Sequence, residues 1–320
     1  MVSDLSLEMK AYKVPLLFFF LLVTTFLFSQ NERLIIGRTT GKLQLDKTVV
    51  RTFGFADSLS GQITLPGSSI EMKEGDSINI DFWNISQGNP VSLYCKEIDF
   101  VQRDKENEIM KQKEAIHHME HGFYSFQAQK TGTFLYYSPE NYPFNLQAGM
   151  FGVIIIRPKE NDYSAQGPLK EVLWCSNELD TQWHTDTIMG TEYDPSNKAI
   201  VLPKYKPNYF LINGKTLSEN KGLQSMKHKK DTLLLRLVNA GLYEHEIVFP
   251  SEAKLHLLYR KDFNVKKIAK GYQLKLHSGE CLELLVYLGN TAETEKIKYR
   301  FINPDSKKTS FSAAIPLFYP

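Results

Sequence analysis

Apolar and polar residues alternate over short stretches along most of this chain, and Gly, Pro, Asn or Asp separates one stretch from the next. Residues 77–83 read Ser-Ile-Asn-Ile-Asp-Phe-Trp, apolar at every second position until the last. A period of two puts one set of side chains on each face of a strand. The same pattern, rich in β-branched and aromatic residues, predicts strands at 42–45, 48–55, 70–73, 91–95, 122–127, 132–137 and 152–157. Residues 105–115 admit two readings, a turn or two of helix or a charged surface loop. Further runs at 171–174, 208–215, 232–241, 274–280, 281–287 and 311–318 predict a second β-rich unit. Many short strands at this spacing indicate sandwiches or barrels. The polar stretch 159–169, which contains Gly167 and Pro168, reads as a linker between a unit at 31–158 and one at 170–320.

The N-terminus departs from this pattern. Lys10 and Lys13 precede an apolar run from Val14 to Phe28, and Ser29-Gln30 follows. A basic flank, a short apolar core and a small exit residue predict a secretory signal peptide over residues 1–30. The run is short for a bilayer span, which needs roughly 18 or more apolar residues. The expectation is an exported protein, periplasmic or extracellular, with no integral membrane span after cleavage.

Composition adds two constraints. Lysines and arginines number 38 against 36 acids, a formal net charge of +2, and the lysines are spread along the chain. Nucleic-acid binding would concentrate positive charge on one face, so no nucleic-acid partner is expected. The three cysteines, Cys95, Cys175 and Cys281, form no Cys-x-x-Cys motif. Cys175 and Cys281 either pair in a disulfide or stand as small buried thiols on strands, and Cys95 stays unpaired in both cases.

A set of phrases recurs in order along both units. The first unit holds Leu65-Pro66-Gly67, Glu74-Gly75-Asp76, the stretch from Ser92 to Asp99, Gly132 to Ser138, and Gly149 to Ile156. The second holds Asn213-Gly214, Val238-Asn239-Ala240-Gly241 and Ser278-Gly279-Glu280. Together they resemble the first two domains of multicopper oxidases, and the last phrase of the first unit also resembles copper nitrite reductases. The resemblance implies an all-β chain of two tandem cupredoxin-like Greek-key β-sandwich domains after the signal peptide.

It also implies copper, and here the sequence departs from the family. Histidine pairs would stand at Tyr94 and Lys96 and at Tyr137 and Pro139. A type 1 site would take its thiolate from the position of Ser138, an imidazole from that of Asn145 and a weak thioether from Met150. Only the methionine is present, and no histidine lies between residues 31 and 116. The reading is therefore a multicopper-oxidase-like protein without the type 1, 2 and 3 ligands, with no cofactor at the usual sites. It would be non-catalytic, binding an unknown protein or cell-envelope partner, with an oligomer admitted. Tyr94, Tyr136 and Tyr137 would fill or line the space vacated by copper, packing as aromatics with their hydroxyls hydrogen-bonded.

Two alternatives stand beside it. Copper completed by another subunit would make the chain a copper-dependent oxidoreductase. A copper-handling role would use His117, His118, Met119 and His121, donors that suit Cu(I) or Cu(II). On a strand His117 and Met119 would share a face and His118 would point away. His245-Glu246 resembles half of a zinc motif but lacks a second histidine at helical spacing. His184, His256 and His277 have no neighbouring ligand in sequence, and no nucleophile elbow, phosphate loop or dinucleotide fingerprint is present.

Overall fold

The structure, a computed structural model, describes residues 31–159, 169–190, 201–216, 232–258, 266–268, 271–287 and 295–316. The predicted signal peptide and nearly all of the linker lie outside these residues. Up to residue 159 the strands are β1 (Asn31–Leu45), β2 (Thr48–Ala56), β3 (Ile70–Lys73), β4 (Ser77–Asn84), β5 (Tyr94–Cys95), β6 (Val101–Arg103), β7 (His121–Gln127), β8 (Gly132–Tyr137) and β9 (Phe151–Arg157), with α1 (Phe144–Ala148) before β9. They form a five-stranded sheet, β2-β1-β4-β7-β6, and a four-stranded sheet, β3-β9-β8-β5. Ile35, Phe55, Ile80, Phe82, Tyr124, Tyr136 and Ile154 fill the space between the two.

From residue 169 the order is β10 (Leu169–Leu179), α2 (Asp186–Met189), β11 (Tyr209–Ile212), β12 (Lys215–Thr216), β13 (Thr232–Asn239), β14 (Glu244–Phe249), β15 (Lys254–Leu258), β16 (Lys266–Ile268), β17 (Gly271–Leu276), β18 (Cys281–Tyr287), β19 (Lys296–Ile302) and β20 (Thr309–Pro316). The sheets are β12-β11-β10-β13-β18-β15 and β16-β17-β14-β19-β20. Trp174, Leu235, Leu237, Phe249, Leu284, Tyr299 and Phe301 pack between them. The chain is thus two β-sandwiches in tandem.

Strands buried on both faces explain the apolar runs that break the alternation. Along β8 and β9, Phe134, Tyr136, Ile154 and Ile156 enter the first core. Their neighbours Leu135, Val153 and Ile155 instead meet Cys175, Leu179, Leu211, Val238 and Cys281 of the second sandwich. The seam between the sandwiches is therefore largely an apolar layer, and a buried polar group is inserted into it. Arg236, 3 % exposed in the middle of β13, bonds Glu283 of β18, donates to Thr133 Oγ1 at 3.0 Å and reaches Glu171 Oε2 at 3.3 Å. Thr133 donates to Glu283 Oε1 at 2.6 Å, so a first-sandwich hydroxyl joins a second-sandwich ion pair. Glu171 continues to Arg157, which reaches Glu71.

The structure also decides points that the sequence left open. Residues 105–115 hold no helix: Asp104 Oδ1 accepts the amides of Glu106 and Glu108, and Arg103 bridges Ile109. Such side-chain bonds compete with a helical ladder, so the charged-loop reading stands. All three cysteines are buried, and among the described residues none forms a disulfide. Cys175 and Cys281 both stand opposite Val238, one on each side of β13. Two strand spacings separate them by about 9.5 Å, too far for a disulfide. Burial pushes the Cys95 thiol up to about 11, with an opposing pull from backbone bonds at Glu97 and Ile98.

Candidate functional site

The loop after β8 carries the residues at the implied type 1 position. Gly149, at φ 118°, ends α1 in a left-handed turn, and its amide reaches Leu146 O. A side chain there would be strained, so glycine suits this cap. The turn sends the Met150 amide back to Asn145 O at 2.9 Å, while the Ser138 amide donates to Met150 O at 3.1 Å. Ser138, Asn145 and Met150 are thereby brought together, all of them fully buried.

Their side chains form a closed hydrogen-bonded group. Ser138 Oγ donates to Glu140 Oε2 at 2.6 Å and accepts from Asn145 Nδ2 at 3.1 Å. Asn89 Nδ2 reaches Asn145 Oδ1 at 3.2 Å and Met150 Sδ at 3.8 Å, and Asn141 Nδ2 donates to Asn89 Oδ1 at 2.9 Å. The amide and hydroxyl of Ser92 both bond the Glu140 carboxylate. Asn89 and Glu140 were missed in the sequence, because both reach the group from loops. A type 1 copper needs a thiolate and two imidazoles. The donors here are two amides, a hydroxyl, a carboxylate and a thioether, already committed to one another. They do not fit that metal.

The implied histidine pairs lie beside this group. Tyr94 of β5 stands opposite Tyr137 of β8, with ring centroids 5.4 Å apart and edge-on. Tyr142 approaches Tyr137 at 6.3 Å. Tyr94 is 40 % exposed and Tyr142 56 %, so these rings form a surface patch. Only Tyr136 is fully buried, its hydroxyl on Ser68 O. Desolvation, then the neighbouring tyrosines, pushes the Tyr137 hydroxyl up to about 12. Lys96 is exposed and Pro139 follows Ser138 at the loop's start.

His117 to Glu120 make a turn rather than a strand: the Glu120 amide reaches His117 O, and Met119 has φ 64°. The face-sharing expected of a strand therefore does not apply. His118 Nδ1 lies 3.2 Å from Ser86 O. His121 Nδ1 lies 2.7 Å from Asp81 Oδ1, and its ring stacks on Trp83. Among the described residues no group of three or more His, Cys, Asp and Glu side chains is arranged to hold a metal ion.

The second sandwich contains a buried group of its own. His245 Nδ1 lies 3.0 Å from Ser176 Oγ and 3.1 Å from Tyr299 Oη, and its Nε2 lies 3.8 Å from Glu178 Oε2. Glu178 and His245 are both 0 % exposed. Glu246, the neighbour in sequence, points away and bonds Gln273 and Arg300. Serine, histidine and glutamate meet here, but the serine faces Nδ1 and the carboxylate Nε2, the reverse of a hydrolytic triad, and 3.8 Å is too long for a hydrogen bond. Full burial of all three denies a substrate access, so the group reads as structural.

Burial pushes His245 below the ordinary histidine value, against the opposing pull of Glu178. His184, bonded through Nδ1 to Arg51 O at 2.7 Å, is lowered for the same first reason. Below about pH 6.5 the unfolded chain takes up protons at these rings that the fold refuses. Stability is therefore full above that pH and falls as pH drops toward the lowered folded values. Urea midpoints between about pH 7.5 and 5 are expected to show the decline, and His245→Gln to show a shallower slope. A wild-type midpoint that is flat over this range would contradict the assignment.

Residues 58–161 match the family description "multicopper oxidase". Solved structures share the fold along most of the chain. A blue copper oxidase from Nitrosomonas europaea is 18 % identical, with 90 % of this chain and 86 % of that one covered at a TM-score of 0.63. A copper nitrite reductase from the same organism is 16 % identical, with 89 % and 94 % covered at 0.60. A multi-copper oxidase from Pseudomonas thermotolerans is 16 % identical, with 90 % and 62 % covered at 0.59. No curated protein sequence matches the chain. The chain has the fold of multicopper oxidases and copper nitrite reductases, and the family match falls on its first sandwich.

Proposed function

We propose that this is an exported multicopper-oxidase-like protein whose copper positions have been rebuilt from polar and aromatic side chains, and that it acts by binding a partner rather than by catalysis. The observation that carries the reading is the closed group of Asn89, Ser138, Glu140, Asn145 and Met150. Copper would have to displace hydrogen bonds among buried groups and would gain neither thiolate nor imidazole in return. The exposed rings of Tyr94 and Tyr142, with Tyr137 between them, supply aromatic contact area of the kind enriched at interfaces. The partner is a protein or another component of the cell envelope. Among the described residues no helix is long and apolar enough to cross a membrane.

Copper loading followed by elemental analysis and spectroscopy tests the reading. The wild type is expected to stay colourless and to turn over neither a phenolic substrate nor nitrite; sustained turnover would refute it. The triple variant Asn89→His, Ser138→Cys, Asn145→His restores two imidazoles and a thiolate around Met150. It is expected to take up Cu(II) with an intense blue colour. A triple variant that folds but stays colourless would mean that these positions are not a rebuilt type 1 site.

A second reading, copper handling through His117, His118, Met119 and His121, is favoured by one contact. Asp81 holds His121 by Nδ1, as carboxylates hold ligating imidazoles, and leaves Nε2 for a metal. Equilibrium dialysis decides it. Bound copper should weaken below about pH 6 and vanish in a His117→Ala, His118→Ala, His121→Ala variant. Copper retained by that variant would sink the reading.

A further inference from the structure

β1 is bulged at its middle: Arg38 stands opposite Gly54 of β2 and Gly41 opposite Thr52, so β1 takes three steps while β2 takes two. Ile63 packs where side chains at Gly41 and Gly54 would stand, and so holds residues 57–63 over the bulge. A pocket of about 270 Å3 opens between loop and bulge, with Arg38, Thr40, Lys42, Ser60 and Gln62 in its lining. Basic side chains at a surface are ordinarily just solvated, and that lining alone would carry nothing. Arg38 adds a second observation. Its Nη1 donates to Leu59 O at 3.1 Å and to Gly61 O at 2.9 Å. Its Nε is withdrawn from water without a partner, and among the described residues Nη2 makes no hydrogen bond. The Nε–H and one Nη2–H of a guanidinium lie parallel along one edge, the edge that grips an oxyanion with two bonds. The loop carbonyls fix the other end of the group and leave this edge unused. A buried donor without an acceptor carries a desolvation cost that an anion would offset.

We propose that this pocket binds a phosphate group, the free ion or a small ester, with two oxygens on the Nε–Nη2 edge of Arg38. Lys42 and the hydroxyls of Thr40 and Ser60, on the same lining, are the donors for the remaining oxygens. Lys42 is exposed and has no ion pair among the described residues. A carboxylate would use both of its oxygens on the Arg38 edge and leave Lys42 unmatched, whereas a phosphate dianion answers both cations. Among the described residues no carboxylate lines the pocket. Asp57 Oδ1, close to Gly61 on the loop, is the opposing charge and limits affinity. None of these residues belongs to the copper positions, so the inference stands apart from the reading above.

Calorimetry on the full chain tests this with inorganic phosphate, glycerol 3-phosphate and acetate. At least one of the two phosphates is expected to bind with Kd below about 1 mM, and more weakly as salt rises. Acetate should bind at least about tenfold more weakly. Tighter binding of glycerol 3-phosphate than of inorganic phosphate assigns an ester as the occupant, and equal or weaker binding assigns the free ion. Arg38→Lys keeps the charge but has no two-toothed edge, and should weaken binding by about tenfold or more. That variant also alters the bonds to Leu59 and Gly61, so Lys42→Gln is the companion: it breaks no hydrogen bond of the described fold and should weaken binding severalfold. The proposal is overturned if neither phosphate binds, if acetate binds as tightly as the phosphates, or if either variant binds like wild type.

Discussion

Replacing Arg236 with alanine is expected to destabilise the protein by about 3–5 kcal/mol, read as a fall in the urea midpoint. The guanidinium is 3 % exposed and its main partner, Glu283, is 5 % exposed, so removing one charge strands the other inside the seam. Thr133 stays as a donor to Glu283 Oε1, yet a single hydroxyl cannot balance a buried carboxylate. Burial already raises the Glu283 carboxyl above its ordinary value, against the pull of Arg236, and the variant removes that pull. The folded variant then holds Glu283 protonated while the unfolded chain ionises above about pH 4.5. The deficit should therefore be largest near neutral pH and shrink as pH falls toward that value. Arg236→Met combined with Glu283→Leu should cost far less than Arg236→Ala, because neither charge is left behind. A single variant within about 1 kcal/mol of wild type would show that water reaches Glu283 and that the seam is not closed around it.

Arg236 also shows where the sequence stopped being legible. The run Thr232 to Gly241 reads plainly as a buried strand, and β13 is one. An arginine in its middle is a signal for a partnered interior charge, but the partners Thr133 and Glu283 lie far away along the chain. Alternation located the strands because that pattern is local. The cluster of Ser138, Asn145 and Met150 was legible through the family resemblance, which brought the three residues into one frame. Asn89 was not, since it reaches Asn145 across 56 residues, and Glu140, although only two residues from Ser138, matches no ligand position of the family. The fate of the tyrosines was half legible. Tyr136 packs inward, whereas Tyr94 lies on the surface because β5 is an edge strand only two residues long.

Gly241→Ala is the second substitution expected to have a large effect, at least about 3 kcal/mol of lost stability. Here space, not backbone conformation, demands glycine. A Cβ at residue 241 would stand 2.8 Å from Cδ of Glu178 and closer still to Oε2. That carboxylate is fully buried, and its Oε1 accepts from the Leu242 amide at 2.6 Å and the Tyr243 amide at 3.1 Å. Pushing it aside breaks these bonds and leaves a buried charge with poorer donors. The displacement should be felt in the first sandwich as well. Tyr205 Oη donates to Glu178 O at 3.0 Å and bonds Gln147 on α1, the helix that also carries Asn145. Amide exchange in α1 is therefore expected to quicken in Gly241→Ala. The cause can be isolated by repeating the substitution in a Glu178→Ala background, where no carboxylate remains to be displaced. There the added cost should fall below about 1 kcal/mol, a coupling that independent sites would not show. Equal costs in the two backgrounds would mean that Gly241 is needed for some reason other than Glu178.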